Sequence, residues 1–463
     1  MINFLKQAFW TSLNSNISSI ISFLSIAVLA RFISPETFGV YIFCLASKEI
    51  ITSICAPSLS QTYLFSNGTF RDFKNVCKIN LIFNILIIIF SILGAIIIKN
   101  FYGDLYFGII ILFGFLSILN NNSSIFLSIR EKKMDFKKAS FYRSISLIIS
   151  LVLTCLLAFI FGDSLIVLVF KEIIFSILLL SLSITFYFDF KKENTTTKPN
   201  KIRYLFDYSL RSYFPRATET LSYKVFDLVT AGILGKNLLG IFNQTLNIIK
   251  IPYKFLGSIT DNILFVHLKS ETKGKKIDDF IFIQSLILIL TIPFIFIFNL
   301  FSYEIINIVL GSKWLESAKI IGLLSIFLII LPFYNSLITI YQASDNQRYY
   351  TITNCLVLII QIIGIFVFSS QSIHNFVLIY CISFYVGSLF LTFKVNINNG
   401  FNKNKLFTIL MLITLIFILI LIYNIYEFNM SLLVLFIVWI YLIIKNKNFF
   451  IKFLKYGKIN NSI

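Results

Sequence analysis

Long apolar blocks alternate with short polar and charged clusters along the 463-residue chain. Most blocks are long enough for an α-helix to cross a hydrocarbon layer of about 30 Å. The strands of a transmembrane β-barrel would instead alternate apolar and polar residues with a period of two, and these blocks do not. The pattern predicts an all-α, polytopic membrane protein.

The blocks and the charge clusters between them predict about fourteen transmembrane helices. Two of these are too long for one straight crossing, and each holds a proline, Pro57 or Pro252, where we expect a kink or a projecting end. The predicted spans are 9–30, 37–65, 79–99, 105–128, 139–161, 164–188, 204–226, 238–268, 279–302, 316–341, 350–369, 373–394, 405–425 and 430–446.

Composition supports the membrane assignment. Hydrophobic residues make up 57% of the chain and charged residues 13%, with a mean hydropathy of +0.87. A soluble domain carries about 25% charged residues. The six cysteines are scattered singly, without a CxxC motif or a nearby histidine, so we expect neither disulfides nor a metal site.

Lys and Arg are distributed unevenly between alternate connections. With the amino terminus inside, the inner segments hold 28 of the 40 Lys and Arg residues, and the outer connections hold Arg31, Lys99, Lys236, Lys313 and Lys319. Positively charged loops stay in the cytoplasm, so both termini are predicted there, with a retained first helix and no signal peptide. The net charge of +19 then reflects topology. We expect the basic loops to contact membrane lipids and not nucleic acid.

A weak internal repeat relates the two halves of the chain. A shift of 201 residues places VLARFISPETFGVYIF (28–43) on VTAGILGKNLLGIFNQ (229–244), with Val28/Val229, Ala30/Ala231 and Gly39/Gly240 identical. The shift spans six helices and preserves their orientation, which predicts two six-helix lobes in a pseudo-twofold parallel repeat. The predicted parts are an N-terminal lobe (1–188), a cytoplasmic linker (189–203), a C-terminal lobe (204–395), and two extra helices with a basic cytoplasmic tail (396–463).

Twelve charged residues remain inside the spans or at their edges. Each costs about 2.5–3.5 kcal/mol at the centre of a lipid-facing helix, so these groups must line a wet cavity, form pairs or reach the interface. Cationic side chains suit phosphate oxygens, and buried carboxylates can exchange a proton or hold Na⁺. The candidate substrate-binding residues are Lys48, Arg211, Arg216, Lys250 and Lys254, and the candidate ion-coupling residues are Glu49, Glu219, Asp227 and Asp261.

A structural role is an open alternative for several of these charges. Arg216 and Glu219 are three residues apart on a helix, as are Lys224 and Asp227, so either couple could form an ion pair. For the adjacent residues Lys171 and Glu172, a structural or interfacial role is favoured over a functional one.

Several segments carry a family resemblance. ARFISPETFGVYIF follows the first span, FSNGTFRDFK forms a cytoplasmic loop, and REKKMDFKKASFYR follows span 4. LFDYSLRSYFPRA opens span 7, and ILGKNLLGIFNQ leads into span 8. Together they resemble the polysaccharide transporters of the MATE-like multidrug/oligosaccharidyl-lipid/polysaccharide superfamily, and most closely its Wzx-type O-antigen flippases. The resemblance covers roughly residues 1–395.

The resemblance implies a flippase of the bacterial inner membrane. Its substrate would be an undecaprenyl-diphosphate-linked oligosaccharide repeat unit, moved from the cytoplasmic to the periplasmic leaflet by alternating access through a cationic cavity. A polysaccharide polymerase and a chain-length regulator are further expected partners. The family often has a proline soon after the YSL of span 7, whereas here Arg211 follows Leu210 and the proline is Pro215.

Other functions stay open at this stage. A drug or metabolite exporter on the same scaffold should have a more acidic chamber, and a lipid II flippase would share the diphosphate of its substrate. An O-antigen polymerase is disfavoured, because the sequence shows neither a large outer loop nor paired external carboxylates, so no enzymatic activity is expected. Without a Walker-type glycine loop, ATP is not expected as a direct driver, and coupling to H⁺ or Na⁺ is unresolved.

Overall fold

A computed structural model of the chain describes residues 18–57, 59–191, 199–270, 276–343, 347–368, 372–394, 403–426 and 429–459. Within these ranges the regular structure is helical and no residue lies in a β-strand. The helices are α1 (Ser18–Phe32), α2 (Pro35–Cys55), α3 (Leu59–Phe65), α4 (Phe70–Tyr102), α5 (Asp104–Lys132), α6 (Phe136–Phe161), α7 (Leu165–Lys191), α8 (Ile202–Leu234), α9 (Lys236–Ser270), α10 (Lys276–Leu300), α11 (Ser302–Val309), a 3₁₀ helix (Ser312–Ser317), α12 (Ala318–Leu324), α13 (Phe327–Ala343), α14 (Gln347–Val367), α15 (Ile373–Lys394), α16 (Lys403–Tyr426) and α17 (Asn429–Ile459).

The predicted all-α membrane fold is confirmed. Among the described residues, nine helices are long and apolar enough to cross a membrane, and a tenth span results if the helices on either side of a 56° bend at 325–326 are counted together. Helices α8 and α9 are not among the nine; they contain most of the intramembrane charges. Each of the fourteen predicted spans overlaps one helix or one broken helix pair. The protein is therefore a multi-pass membrane protein.

The prolines in the two long predicted spans have different outcomes. At Pro57 the span is broken, because α2 ends at Cys55 and α3 begins at Leu59, which confirms the expected interruption. Pro252 lies inside α9, and helix continues on both sides of it. Pro215, which departs from the family pattern, is likewise inside the continuous helix α8.

The outer faces of α4, α6 and α7 are strongly apolar. In the most apolar 18-residue stretch of each of these helices, only 28% of the residues are buried within the protein. Large side chains such as Phe159 and Ile160 on α6 are 78% and 71% exposed. In a membrane protein such surfaces are covered by acyl chains, so these three helices lie against lipid.

The chain folds as two compact units, each built from non-contiguous segments. The first contains residues 1–244, 309–314 and 354–371, and the second contains 245–308, 315–353 and 372–463. In the first unit α5 packs against α4 and α7, and α8 packs against α2. In the second, α13 packs against α15, and α17 packs against α10 and α16. The lobe boundaries drawn from the sequence stay a prediction.

Helices α2 and α9 make a very close backbone contact inside the first unit. A Cβ atom at Gly39 would overlap the carbonyl oxygen of Lys236, and a Cβ atom at Gly240 would overlap the carbonyl oxygen of Pro35. The shift of 201 residues relates Gly39 to Gly240 and also Pro35 to Lys236, so the two contacts exchange equivalent residues. Such reciprocity is what a twofold axis produces, and it agrees with the predicted repeat at this crossing.

The turn between α1 and α2 is fixed by hydrogen bonds to Ser34. Its hydroxyl accepts the backbone N–H of Thr37 and caps α2, while its own N–H donates to Oδ1 of Asp163 at 3.1 Å. Partial burial alone would raise the pKa of Asp163. The hydrogen bonds from Ser34 and Thr37 and the charge of Lys313 outweigh this and lower the pKa below its ordinary value.

The carboxyl end of α1 is capped by side chains from a distant part of the chain. The indole Nε1–H of Trp314 donates to the carbonyl oxygen of Ala30 at 2.8 Å, and Lys313 Nζ donates to that of Phe32 at 3.1 Å. The last carbonyls of a helix have no intrahelical partner. Residues 309–314 supply these donors and belong to the first unit.

Candidate functional site

The first unit encloses a cavity of about 300 Å³. Residues of α2, α3, α4, α5 and α8 line it, so it lies among helices of one unit. Its polar lining consists of the charged residues Lys48, Glu49 and Arg216, the amides Asn80, Asn120 and Asn121, the hydroxyls of Thr52, Ser53, Ser60, Ser117, Ser124 and Thr220, and Tyr213.

Lys48 reaches this cavity from α2 but is bound to a carboxylate on α7. Its ammonium donates to Oε2 of Glu172 at 3.1 Å, and the side chain is 10% exposed. Tyr41 Oη donates to the other carboxylate oxygen, Oε1, at 2.8 Å, and Lys171 Nζ lies 3.9 Å from that oxygen. Lys48 also sits over the ring of Phe113, 5.5 Å from its centroid. Lys48 therefore has a carboxylate partner inside the protein, which it shares with Lys171.

Glu49, the next residue on α2, belongs to a second charged cluster. Lys224 Nζ lies 3.1 Å from Oε2 of Glu49 and 3.7 Å from Oδ2 of Asp227. Asn243 Nδ2 donates to Oδ1 of Asp227 at 3.0 Å. The ion pair between Lys224 and Asp227, an open alternative in the sequence, is present, and it places two of the candidate coupling carboxylates around one ammonium.

Arg216 also lines the cavity, but its surroundings differ from those of Lys48. It lies on α8, is exposed, and within the part of the chain that the structure describes it forms no ion pair with Glu219 or with any other carboxylate. The expected alternative of an Arg216–Glu219 pair is therefore not present. Next to it, Tyr213 donates its hydroxyl to the carbonyl oxygen of Ile54, which joins α8 to α2 at the cavity.

Lys250 and Lys254 are not among the described lining residues of this cavity. Lys250 and Lys254 belong to the second unit, where Lys250 Nζ lies 5.6 Å from the centroid of the Phe327 ring and Lys254 is exposed. The side chains of Arg211 and Asp261 lie outside the described residues. The structure thus brings Lys48, Glu49 and Arg216 together at one cavity, and the binding and coupling roles of all nine candidates stay predictions.

Two features of the site were missed in the sequence. The sequence suggests Lys171 as the neighbour of Glu172, whereas the cation nearest to its carboxylate is Lys48, which is 124 residues away in the sequence. The amides of α5 were not singled out, although the run NNNSS at 120–124 interrupts an otherwise apolar span and is a usable signal. Among the described residues, no group of three or more His, Cys, Asp or Glu side chains is arranged to hold a metal ion.

Solved structures of low sequence identity share this fold. The lipid II flippase MurJ in an inward closed conformation superposes with a TM-score of 0.63 at 15% identity, covering 96% of this chain and 99% of that one. An inward-facing multidrug resistance MATE family transporter of the MOP superfamily gives a TM-score of 0.62 at 13% identity, covering 82% and 95%. A MOP superfamily transporter from Pyrococcus furiosus, whose binding pocket is described as reversed in polarity, gives 0.54 at 14%, covering 83% and 93%.

The sequence itself matches one family model. No curated protein matches the chain. Residues 28–319 match the model of the polysaccharide biosynthesis protein family, and this range contains α2 to α11 with every candidate site residue. The match confirms the resemblance drawn from the motifs around the first, fourth, seventh and eighth spans. The chain therefore belongs to the polysaccharide biosynthesis protein family.

Proposed function

We propose that this protein is a flippase for undecaprenyl-diphosphate-linked oligosaccharide repeat units, such as those of O-antigen. It would move them from the cytoplasmic to the periplasmic leaflet of a bacterial inner membrane. The observation that carries the proposal is the position of Arg216, an exposed guanidinium at the cavity. The other two ionised residues among the described lining, Lys48 and Glu49, have internal partners. Guanidinium groups bind phosphate oxygens in a bidentate manner, and the surrounding amides and hydroxyls suit a sugar.

The physical task supports such a path. The polyprenyl tail can stay in the acyl chains during transfer, because each buried CH₂ contributes about 0.8 kcal/mol. The diphosphate and the sugars cannot cross hydrocarbon without polar partners. A cavity lined by polar side chains within a membrane-spanning unit provides those partners, and alternating access then requires different affinities in two states.

Ion coupling is a further part of the proposal. Glu49 and Asp227 share Lys224, so a proton or Na⁺ would compete there with an ammonium group. Glu219 is half-buried and forms no ion pair within the described residues, which makes it the better coupling candidate in this region. Asp261 stays a proposed coupling residue on sequence grounds, as do Lys250, Lys254 and Arg211 for substrate binding. No enzymatic step is proposed, and from the distribution of Lys and Arg we propose that both termini are cytoplasmic.

The test is Arg216→Gln in a strain that lacks its own flippase, with surface polysaccharide as the measured quantity. Hydrogen bonds to charged groups contribute about 1.5–3 kcal/mol, so we expect transport to fall roughly 10- to 100-fold. Arg71→Gln is the matched control, because Arg71 is also exposed in the first unit but does not line the cavity. Wild-type polysaccharide from the Arg216 variant at an equal membrane level would contradict the proposal.

The same strain separates the competing substrates. Restored surface polysaccharide with unchanged sensitivity to cationic drugs supports the lipid-linked substrate over a drug. Rescue of a cell depleted of its lipid II flippase, without restored surface polysaccharide, would assign the chain to lipid II instead.

A further inference from the structure

We propose that Lys74 and Lys78 on α4 form a binding site for the phosphate group of an anionic phospholipid in the surrounding bilayer. The ligand is a membrane lipid and not the transported substrate, so the site goes beyond the proposed function. Four features of α4 carry the proposal: the depth of the two lysines in the membrane, the face on which they lie, the absence of a counter-ion, and their spacing.

The exposed lysines of α4 mark the depth of the hydrocarbon layer. Lys78 and Lys99 lie on one continuous helix with no charged residue between them. A rise of about 1.5 Å per residue places their Cα atoms about 31 Å apart, close to the hydrocarbon thickness of about 30 Å. Lys78 is therefore at the boundary of the hydrocarbon. Lys74, about 6 Å further out, is within the headgroup layer, which is roughly 5–7 Å thick.

The two lysines lie on the lipid-facing side of α4. Both are exposed, and at about 100° per residue they share a face with the exposed apolar side chains of the same helix. Those side chains are Leu81, Ile82, Ile85, Ile89, Ile92 and Ile96. A lipid whose acyl chains cover this apolar face therefore has its headgroup beside two ammonium groups.

Neither lysine has a counter-ion in the protein. Among the described residues, no carboxylate forms an ion pair with Lys74 or Lys78. Asp72, the nearest acid in the sequence, is buried, and its carboxylate accepts the backbone N–H groups of Thr69 and Asn200. The positive charge of the two lysines is thus available to an external anion.

Cations on the neighbouring helices show the opposite case. Arg130 on α5 lies 2.7 Å from a carboxylate oxygen of Asp189, and Arg143 on α6 lies 2.8 Å from one of Glu131. These guanidinium groups hold parts of the first unit together. The unpaired lysines of α4 have no such structural role, which distinguishes them from basic residues that are merely near the membrane.

The spacing of the two lysines suits a shared anion. Residues four apart on a helix are neighbours, and two like charges at this spacing repel each other. A phosphate between the two ammonium groups accepts hydrogen bonds from both and relieves the repulsion. The ring of Phe70, with its centroid 4.9 Å from Lys74 Nζ, contacts the ammonium without neutralising it. A capping box already satisfies the start of α4, so the phosphate meets side chains and not free backbone N–H groups.

The experiment measures which lipid lies beside this part of α4. The purified full-length protein is placed in nanodiscs that contain phosphatidylglycerol and phosphatidylethanolamine, and either lipid carries the same diazirine acyl chain. After illumination and pepsin digestion, the crosslink yield on residues 70–90 is compared for the two lipids. Each lysine near a membrane surface contributes a factor of about 5 in affinity for anionic lipid, so we expect a yield ratio on the order of 25 for the wild type. In about 1 M salt, where charges are screened within about 3 Å, the ratio should fall.

The variants assign the preference to the two lysines. Lys74→Gln and Lys78→Gln should each lower the ratio about 5-fold, and the double variant should bring it close to one. The Lys74→Arg/Lys78→Arg protein keeps both charges and should keep the ratio. Arg71→Gln is the matched control, because Arg71 is exposed on the same face but about 10 Å beyond Lys78, outside the headgroup layer. Its effect should be smaller than that of either lysine variant, and a thermal melt checks that each protein is folded.

Three results would overturn the site. The first is a wild-type ratio near one, and the second is a double variant that retains the wild-type ratio. The third is an Arg71→Gln effect as large as that of Lys78→Gln, which would assign the preference to the overall surface charge. Soluble glycerophosphoglycerol, the headgroup without acyl chains, should not reduce the crosslink at millimolar concentration. Competition by this compound would mean that the lysines bind free phosphate esters and not a lipid.

Discussion

Helices α2 and α8 each bring a cation to the same cavity, and the two cations differ in what surrounds them. Lys48 on α2 is nearly buried and is held by the ring of Phe113 and by Glu172, whose other carboxylate oxygen accepts a hydrogen bond from Tyr41. Arg216 on α8 is exposed and has no carboxylate partner within the described residues. A cation deep in a membrane protein is retained by a counter-ion, which then competes with any substrate. Only the exposed one is available to a phosphate without a prior exchange.

The largest effect is expected when the counter-ion of Lys48, Glu172 on α7, loses its charge. Glu172→Gln leaves Lys48 buried without a full negative charge, and removing one partner of a buried pair costs about 3–5 kcal/mol. We expect a clear fall in the melting temperature of the protein in nanodiscs. The Lys48→Met/Glu172→Gln double variant should recover most of the loss, since it removes the stranded charge. If Glu172→Gln melts like the wild type, Lys48 is hydrated or paired elsewhere, and its difference from Arg216 disappears.

A smaller effect is expected where α2 crosses α9. Gly39→Ala and Gly240→Ala each place a Cβ against a backbone carbonyl, and overpacking of this kind costs about 1–3 kcal/mol. Because both contacts belong to one crossing, a single separation of the helices relieves both. The double variant should therefore lose less stability than the sum of the single variants in thermal melts.

Gly108→Ala on α5 is the control for this crossing, because nothing lies within 4 Å of a Cβ built there. It should be close to neutral. Strict additivity of the two losses of stability would show that the two glycine contacts are independent. That result would contradict a single crossing in which a local twofold axis relates the contacts.

The smallest effect is expected at the α1–α2 turn, where Ser34 caps the start of α2. Folding lowers the pKa of Asp163, so its ionised form stabilises the turn at pH values above the unfolded pKa of about 3.9. That contribution is lost as the pH falls through the lower pKa of the folded state. Asp163→Asn should lower the melting temperature slightly at pH 7, and the difference from wild type should shrink on acidification toward pH 3. A difference that is constant from pH 7 to pH 3 would exclude the carboxylate charge as its source.

Hydropathy predicted the fold to the level of individual spans, because the length and apolarity of each helix are local properties of the sequence. The break at Pro57 was also predictable, since a proline removes a helical hydrogen bond. Pro252 and Pro215 carry the same local signal, yet α9 and α8 continue through them. The local sequence therefore does not distinguish a proline that ends a helix from one that lies inside a continuous helix.

The candidate site was predictable in its residue types and less so in its pairings. Lys48, Glu49 and Arg216 were singled out because charges in apolar spans are costly, and the structure brings these three to one cavity. The partner of Lys48 could not be found in this way, because Glu172 reaches it only through the packing of α2 against α7. Lys250 and Lys254 belong to the second unit because α9 passes from one unit to the other at residues 244 and 245, and the local sequence does not mark this boundary.

The segmented composition of the first unit has a consequence for how the protein is made. Its last segment ends at residue 371, and the Trp314 and Lys313 donors for the end of α1 emerge long after α1 itself. At about 5–20 residues per second, the ribosome needs roughly 6–25 s to go from residue 244 to residue 371. Until residue 314 has been synthesised, the carbonyls of Ala30 and Phe32 lack their final donors, and a nascent chain stopped before residue 371 leaves the cavity-bearing unit unfinished.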